Sequence, residues 1–328
     1  VEGKDHRAGS HRTSLTDYLE STTTMTHPIL TVITPSYHND YELVIDLCAS
    51  LDQFLKVPFK HIIIVPRADL GMFAGLGAAN RTVLAEEDLL RPYGFRKIPF
   101  FKRIRIPGLI DKKIREQWYR FGAGRTNGWV IQQLLKISAV QLTDTDLIMF
   151  ADSDNILFRP LELEQLYKDG KIKLSRSPMR ADMHNHRQWH ANGRELLGIT
   201  DFKGEPYNYI GNLIVWQREA VLGLQRRIEQ VTGLDWRVAL ARKKAVSEYI
   251  FYGLYCEFLA ENQGGHSFGA PDLTCSFWTN DADFTVSEMA KSLQPSHVAL
   301  HIQSTIPMPL EKRRDLIAQL AARVPAAA

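Results

Sequence analysis

Apolar residues in this chain come in short runs whose spacing switches between strand-like and helical. Leu30 to Thr34 is a β-branched run closed by Pro35-Ser36, which predicts a strand and then a turn. From Asp40 to Leu55, the positions Val44, Leu47, Cys48, Leu51 and Leu55 recur at helical spacing on one face. Ile62 to Val65 is apolar at every position and stops at Pro66, the pattern of a parallel strand covered on both faces. Together these predict a β-α-β unit. The stretch from Ala74 to Tyr119 predicts a helix less clearly, and a basic strand at Phe101 to Ile106. After a loop punctuated by Gly122, Gly124 and Gly128, Trp129 to Leu142 reads as a helix. Asp146 to Phe158 (DLIMFADSDNILF) carries the clearest strand-and-turn pattern of the chain. Short strands at Lys171 to Ser175 and Tyr209 to Trp216 mix with helices at Glu219 to Val231 and Val246 to Leu259. An amphipathic helix is expected at Leu310 to Arg323.

The order of strands and helices predicts one continuous α/β domain over residues 28–308, followed by a C-terminal helix and tail over 309–328. Residues 1–27 lack periodicity and are expected to be a disordered or added arm. At 328 residues, 45% hydrophobic and 23% charged, the composition is that of a globular enzyme and not of a disordered chain. A net charge of +3, dispersed along the sequence, gives no basis for nucleic-acid binding. Cys48, Cys256 and Cys275 lie far apart among apolar neighbours, as buried reduced thiols do, and a cytoplasmic location is expected. No apolar run reaches the ~18 residues of a membrane span. Lys312, Arg313 and Arg314 read as a solvated helix face, with peripheral membrane contact as the alternative.

The chemically informative stretch is Asp152-Ser153-Asp154, directly after the apolar strand Leu147 to Phe150. Ligands of α/β sheets bind at the carboxyl ends of strands. Two carboxylates one residue apart at such a turn suit a hard divalent cation, Mn²⁺ or Mg²⁺, which in turn favours phosphate oxygens. A metal on a diphosphate neutralises the charge that develops as it departs. An Asx turn or a helix cap is the plain structural alternative for the same residues.

The strand ending in TPSY, the β-α-β unit, GWVIQQLLKI at Gly128 to Ile137 and FADSDN at Phe150 to Asn155 resemble, in this order, the GT-A nucleotide-sugar glycosyltransferases. With SEYIFYGLY at Ser247 to Tyr255 and ALHIQST at Ala299 to Thr305, the chain is similar to a bacterial branch of that fold, over roughly Pro28 to Thr305. The resemblance implies a single GT-A domain with a mixed, mainly parallel sheet flanked by helices. It also implies a metal-dependent transfer of sugar from a nucleotide diphosphate to a saccharide or lipid-linked acceptor, within surface polysaccharide synthesis. Donor contacts would come from Thr34, Pro35, Ser36 and Tyr37, from Asp69 and Arg67 after the second strand, from Gln133 and Lys136, and from Asp152 and Ser153. The metal would be held by Asp152, Asp154 and His301, with His297 as the substitute for the last. Asp154 would serve catalysis through that metal, and Glu248 would be the base of an inverting reaction. Acceptor contacts would fall to Trp189, His190, Asn212, Trp216 and Tyr249, with Trp278 a further aromatic.

Three other readings compete. An aspartate-nucleophile phosphatase also carries Asp-x-Asp after a strand, but on its first strand and not mid-chain. A nucleotidyltransferase would need a Gly-rich basic loop that TPSYHND lacks. A non-catalytic nucleotide- or sugar-binding module would bind without turnover. His184, His186 and His190 invite a zinc site, but no carboxylate or thiol accompanies them at useful spacing.

Overall fold

The computed structural model describes residues 29–98, 103–106, 110–113, 117–279 and 284–323, with the backbone path alone at 103–106 and 110–113. The expected N-terminal arm, Phe101 and the last five residues lie outside the described residues. Strand β1 (Leu30–Pro35) leads through a 3-10 turn at His38–Asp40 into helix α1 (Tyr41–Phe54). Strand β2 (Phe59–Val65) returns parallel to β1, and β3 (Arg81–Ala85) parallel to β2. Helix α2 (Gly128–Ser138), capped by the Asn127 side chain accepting from Val130 N–H, brings the chain back across the sheet. Strand β4 (Leu147–Phe150) then pairs parallel to β1 on its free side. Next come β5 (Asn155–Leu157), α3 (His184–Leu197) and β6 (Ile214–Gln217), the last antiparallel to β4. The remainder includes α4 (Arg218–Thr232), α5 (Trp236–Lys243), α6 (Glu248–Phe258), β7 (Thr274–Phe277), β8 (Ala299–Ile302) and α7 (Leu310–Arg323).

The central sheet therefore runs β6-β4-β1-β2-β3, mixed but mainly parallel, with helices on both sides. Every residue of β1 and β4 is buried, as the unbroken apolar run of β4 and the β-branched run of β1 predict. Alternation divides them between two cores. Ile33, Ile148 and Phe150 pack with Val130, Leu134 and Ile137 of α2 and with α4 and α6. Leu30, Val32, Leu147 and Met149 pack with Leu47 and Leu51 of α1.

A second small sheet, β5-β8-β7, pairs Asn155 with His301 and His301 with Ser276. Leu316, Ile317 and Leu320 of α7 bury against it, so the C-terminal helix shares a core with Phe158, Leu300 and Ile302. The strand expected at Tyr209 to Trp216 is broken. A two-residue strand ends at Asn208, and Leu213 takes a left-handed φ of 54° before β6 begins. The polar helix α3 has no counterpart in the apolar pattern, because its mean composition is too polar for the pattern to stand out.

Candidate functional site

The sheet order places a topological switch point between β1 and β4: the chain moves from β1 to β2 and β3 on one side, then to β4 on the other. At such a point the connections leave the carboxyl ends in opposite directions and open a crevice, where ligands of α/β sheets bind. TPSY ends β1 and Asp152-Ser153-Asp154 follows β4, so both stretches singled out in the sequence sit at this switch point. Thr34 Oγ1 donates to the Ala151 carbonyl at 2.8 Å, and Ala151 N–H to the Ile33 carbonyl at 3.1 Å, tying the two strand ends together.

Lys136 reaches Asp152 from α2. Its ammonium lies 3.0 Å from Asp152 Oδ1, 3.1 Å from Glu248 Oε1 and 3.1 Å from the Tyr249 hydroxyl. The lysine is 3% exposed. Burial alone would pull its ammonium down, but Asp152, Tyr249 and Glu248 outweigh that and hold it well above the usual lysine range. Glu248 is equally buried, and burial lifts its carboxyl despite Lys136. Its backbone N–H donates to Gln133 Oε1 at 3.1 Å, while Gln133 Nε2 donates to the Trp129 carbonyl at 3.2 Å. Asp152 alone of these carboxylates is accessible, with 30% of its side chain exposed.

Asp154 has other partners. Its Oδ2 accepts from Ser304 N–H at 2.8 Å, and its Oδ1 lies 3.4 Å from His301 Nε2. Burial would lift its carboxyl, but the His301 contact and the Ser304 N–H prevail and hold it below the usual range. Asn155 pairs with His301 across β5 and β8, which sets the imidazole beside the carboxylate one residue earlier. Trp278, half exposed, covers His301 with centroids 4.3 Å apart. Arg313 of α7 is buried and donates to the carbonyls of Ile302 (2.6 Å) and Gln303 (3.4 Å), bracing the segment that holds Asp154. Ser153 Oγ donates to Asp40 Oδ2 at 3.1 Å, and burial raises the Asp40 carboxyl. Ser36 Oγ, Asn155 Oδ1 and His301 Nδ1 are buried around this turn with no hydrogen-bond partner among the described residues, and Asp152 Oδ1 has only its ion pair to Lys136.

The structure thus brings together Thr34, Pro35, Ser36, Gln133, Lys136, Asp152, Ser153, Asp154 and His301 at one end of the sheet. Asp69 joins them through His38, whose N–H and Nδ1 lie 2.9 and 3.2 Å from its Oδ2. Tyr37 is exposed beside it. Arg67 is drawn away by Asp88 and by Glu87, which accepts its N–H at 2.8 Å.

Several expectations need correction. Asp152 pairs with Lys136, while Asp154 pairs with His301, so the three residues expected to share a metal fall into two separate pairs. Among the described residues no group of three or more His, Cys, Asp or Glu side chains is arranged to hold a metal. Glu248, 2% exposed behind Lys136, is in no position to take a proton from an acceptor. Trp216, Tyr249, His190 and Asn212 are buried, the two rings packed between β4 and α6, and offer no acceptor surface. Asn212 instead accepts from Asn155 Nδ2 at 3.2 Å and donates to Ser276 Oγ at 3.1 Å, which ties the acidic turn to β7. Arg313 is not on a solvated face, and Arg314 pairs with Asp46 at 2.9 Å and Glu42 at 3.2 Å. The sequence reading missed Asp40 and Arg313 as neighbours of the acidic turn. The N-D after TPSY was the available signal for the first, and nothing local marks the second.

Residues 27–321 match a family described as "Family of unknown function (DUF6492)". The chain belongs to that family. The matched span covers every residue of the site just described. No curated protein matches the chain. Among the described residues, no helix is long and apolar enough to cross a membrane.

Proposed function

We propose that the chain is a GT-A type glycosyltransferase that moves a sugar from a nucleoside diphosphate to a saccharide or lipid-linked acceptor. One observation carries this reading. A partly exposed carboxylate, Asp152, is fixed by a buried ammonium at the switch-point crevice of a mainly parallel sheet, with unpartnered polar atoms beside it.

In this reading the first turn, from Thr34 to Tyr37, takes the nucleoside, with Ser36 Oγ as a free hydrogen-bonding group and Tyr37 as an exposed ring. Asp152 accepts hydrogen bonds from donor hydroxyls, and Lys136 and Glu248 are positioning residues that hold it. The acceptor oxygen bonds to the anomeric carbon. The bond from that carbon to the phosphate oxygen breaks, the nucleoside diphosphate leaves with the electron pair, and the hydroxyl proton passes to solvent or to a carboxylate at the crevice mouth. Asp154 and His301 would help to hold Mn²⁺ or Mg²⁺, which when bound would neutralise charge on the departing diphosphate.

Thermal melts with UDP, GDP, CDP and ADP, each with and without Mn²⁺, test the reading. One nucleotide at about a hundredfold excess over its Kd should raise Tm by roughly 3–5 °C. Asp152→Asn should abolish most of that shift. Unchanged melts with all four nucleotides, metal included, would refute the proposal. A shift that is the same with and without Mn²⁺ would refute its metal part alone.

A further inference from the structure

Trp129, Gln133 and Lys136 stand at i, i+4 and i+7 of α2 and so share one face. Along that stripe exposure falls from 46% at Trp129 to 1% at Gln133 and 3% at Lys136. The indole is therefore the solvent end of a line that leads to the buried ion cluster, about 10 Å along the helix axis from Lys136. Trp129 is also held in place. Its indole N–H donates to the Val246 carbonyl at 3.1 Å, two residues before Glu248. Its ring stacks on Trp189 with centroids 5.5 Å apart and planes 22° apart, and Trp189 stacks on His186 at 4.9 Å and 23°.

The three rings lie at the edge of the larger core, against which Trp189 packs, and Trp129 is left half exposed. The patch does not look like a membrane contact. The helix that supplies Trp189 and His186 also exposes His184, Asn185 and Gln188, and its sequence HNHRQWHANGRELL is polar on average. A ring face whose one polar edge atom is already satisfied, set among amide and imidazole groups, suits a ligand with an apolar face and hydroxylated edges. A pyranose has that shape: its axial C–H groups lie on the ring, and its equatorial hydroxyls reach the surrounding side chains.

We infer that the Trp129–Trp189–His186 stack is a saccharide platform that holds a hexopyranose unit of the acceptor. That this sugar is an acceptor rests on the glycosyltransferase reading; that the stack binds sugar does not. Trp129 and Lys136 stand ~10 Å apart along the axis of α2, too far for a sugar stacked on the indole to be the one that meets Asp152. The platform therefore holds a sugar next to the one that reacts, which favours acceptors of at least two units over a monosaccharide.

The test is titration of the full chain with cellobiose, lactose, maltose and chitobiose, and separately with phosphatidylglycerol vesicles, followed by tryptophan fluorescence. At least one disaccharide should change the emission saturably. Trp129→Ala should weaken that binding roughly tenfold, while Trp129→Phe, which keeps a ring face without the indole N–H, should stay within about threefold. Circular dichroism and the nucleotide melt show whether each variant is folded. No response to any of the four sugars, an equal response in Trp129→Ala, or a response to vesicles alone would each overturn the platform. If a nucleotide still raises Tm in that case, the transferase proposal survives without it. Sugar binding with no nucleotide shift would instead keep the platform and remove the transferase.

Discussion

Lys136 decides the electrostatics of the site. One ammonium serves two carboxylates and a phenol at about 3 Å, within a pocket closed by the Tyr249 and Phe150 rings, 4.7 and 5.9 Å from it. Removing it would strand Glu248 as an uncompensated buried carboxyl. Lys136→Met should therefore destabilise the fold by about 3–5 kcal/mol in urea unfolding. Adding Glu248→Gln should recover part of that loss, because a neutral amide is cheaper to bury. A single variant as stable as the parent would mean that the ion pair is not formed in solution. The residue types were legible in the sequence, since Lys136, Asp152 and Glu248 were all singled out. Their relation was not. Glu248 looked like a base because a sequence shows a carboxylate at a helix start but not whether the carboxylate reaches solvent.

Helix α2 carries most of the site at the scale of elements, and its contacts explain why. Gln133 and Lys136 point into the seam where α6 begins, so the two helices must keep a fixed spacing. On its other side α6 is packed by α3 at Gly193. A methyl group there would lie 2.8 Å from both Leu254 Cδ1 and Phe251 Cδ1, too close for any ordinary contact. Gly193→Ala should cost about 1–3 kcal/mol by overpacking, more than the ~1 kcal/mol that alanine adds to a helix interior. Chemical denaturation measures the sum. A variant of unchanged or higher stability would show that α3 and α6 separate easily. The apolar periodicity predicted α1, α2, α4, α6 and α7 to within a few residues, because each has one strongly apolar face. It missed α3, whose inward face uses His190, Asn192 and Gly193 beside Leu196 and Leu197.

The whole molecule encloses several neutral histidines. His61 bonds to Thr34 at 3.0 Å and accepts from Arg81 at 3.0 Å beneath the sheet, His190 packs against Phe202, and His266 meets Tyr252 at 3.1 Å. Burial first, and Arg81 second, pull His61 down to about 3; burial pulls His190 and His266 to about 4. An unfolded histidine binds a proton below about pH 6.5, and these do so only far lower when folded. The unfolded chain therefore gains more protons as pH falls, and stability drops between about pH 6.5 and 4 by roughly 1 kcal/mol per histidine per pH unit. Tm should fall from pH 7 to pH 5, and His190→Gln, which cannot protonate, should reduce the slope by about one proton. Identical slopes in parent and variant would place the acid sensitivity elsewhere.

Sequence alone determined the α/β class, the first β-α-β unit and the acidic turn after a buried strand. These depend on local period and on residues adjacent in the chain, and such signals survive without a fold. Only the tertiary structure decided which carboxylate faces the crevice, because that rests on contacts between residues far apart in sequence. Lys136 meets Glu248 through the packing of α2 on α6, His301 meets Asp154 through the pairing of β8 with β5, and Arg313 returns from the last helix to brace them. The same packing turned Trp216 and Tyr249 inward and left Trp129 at the surface, a division that burial makes and composition does not record.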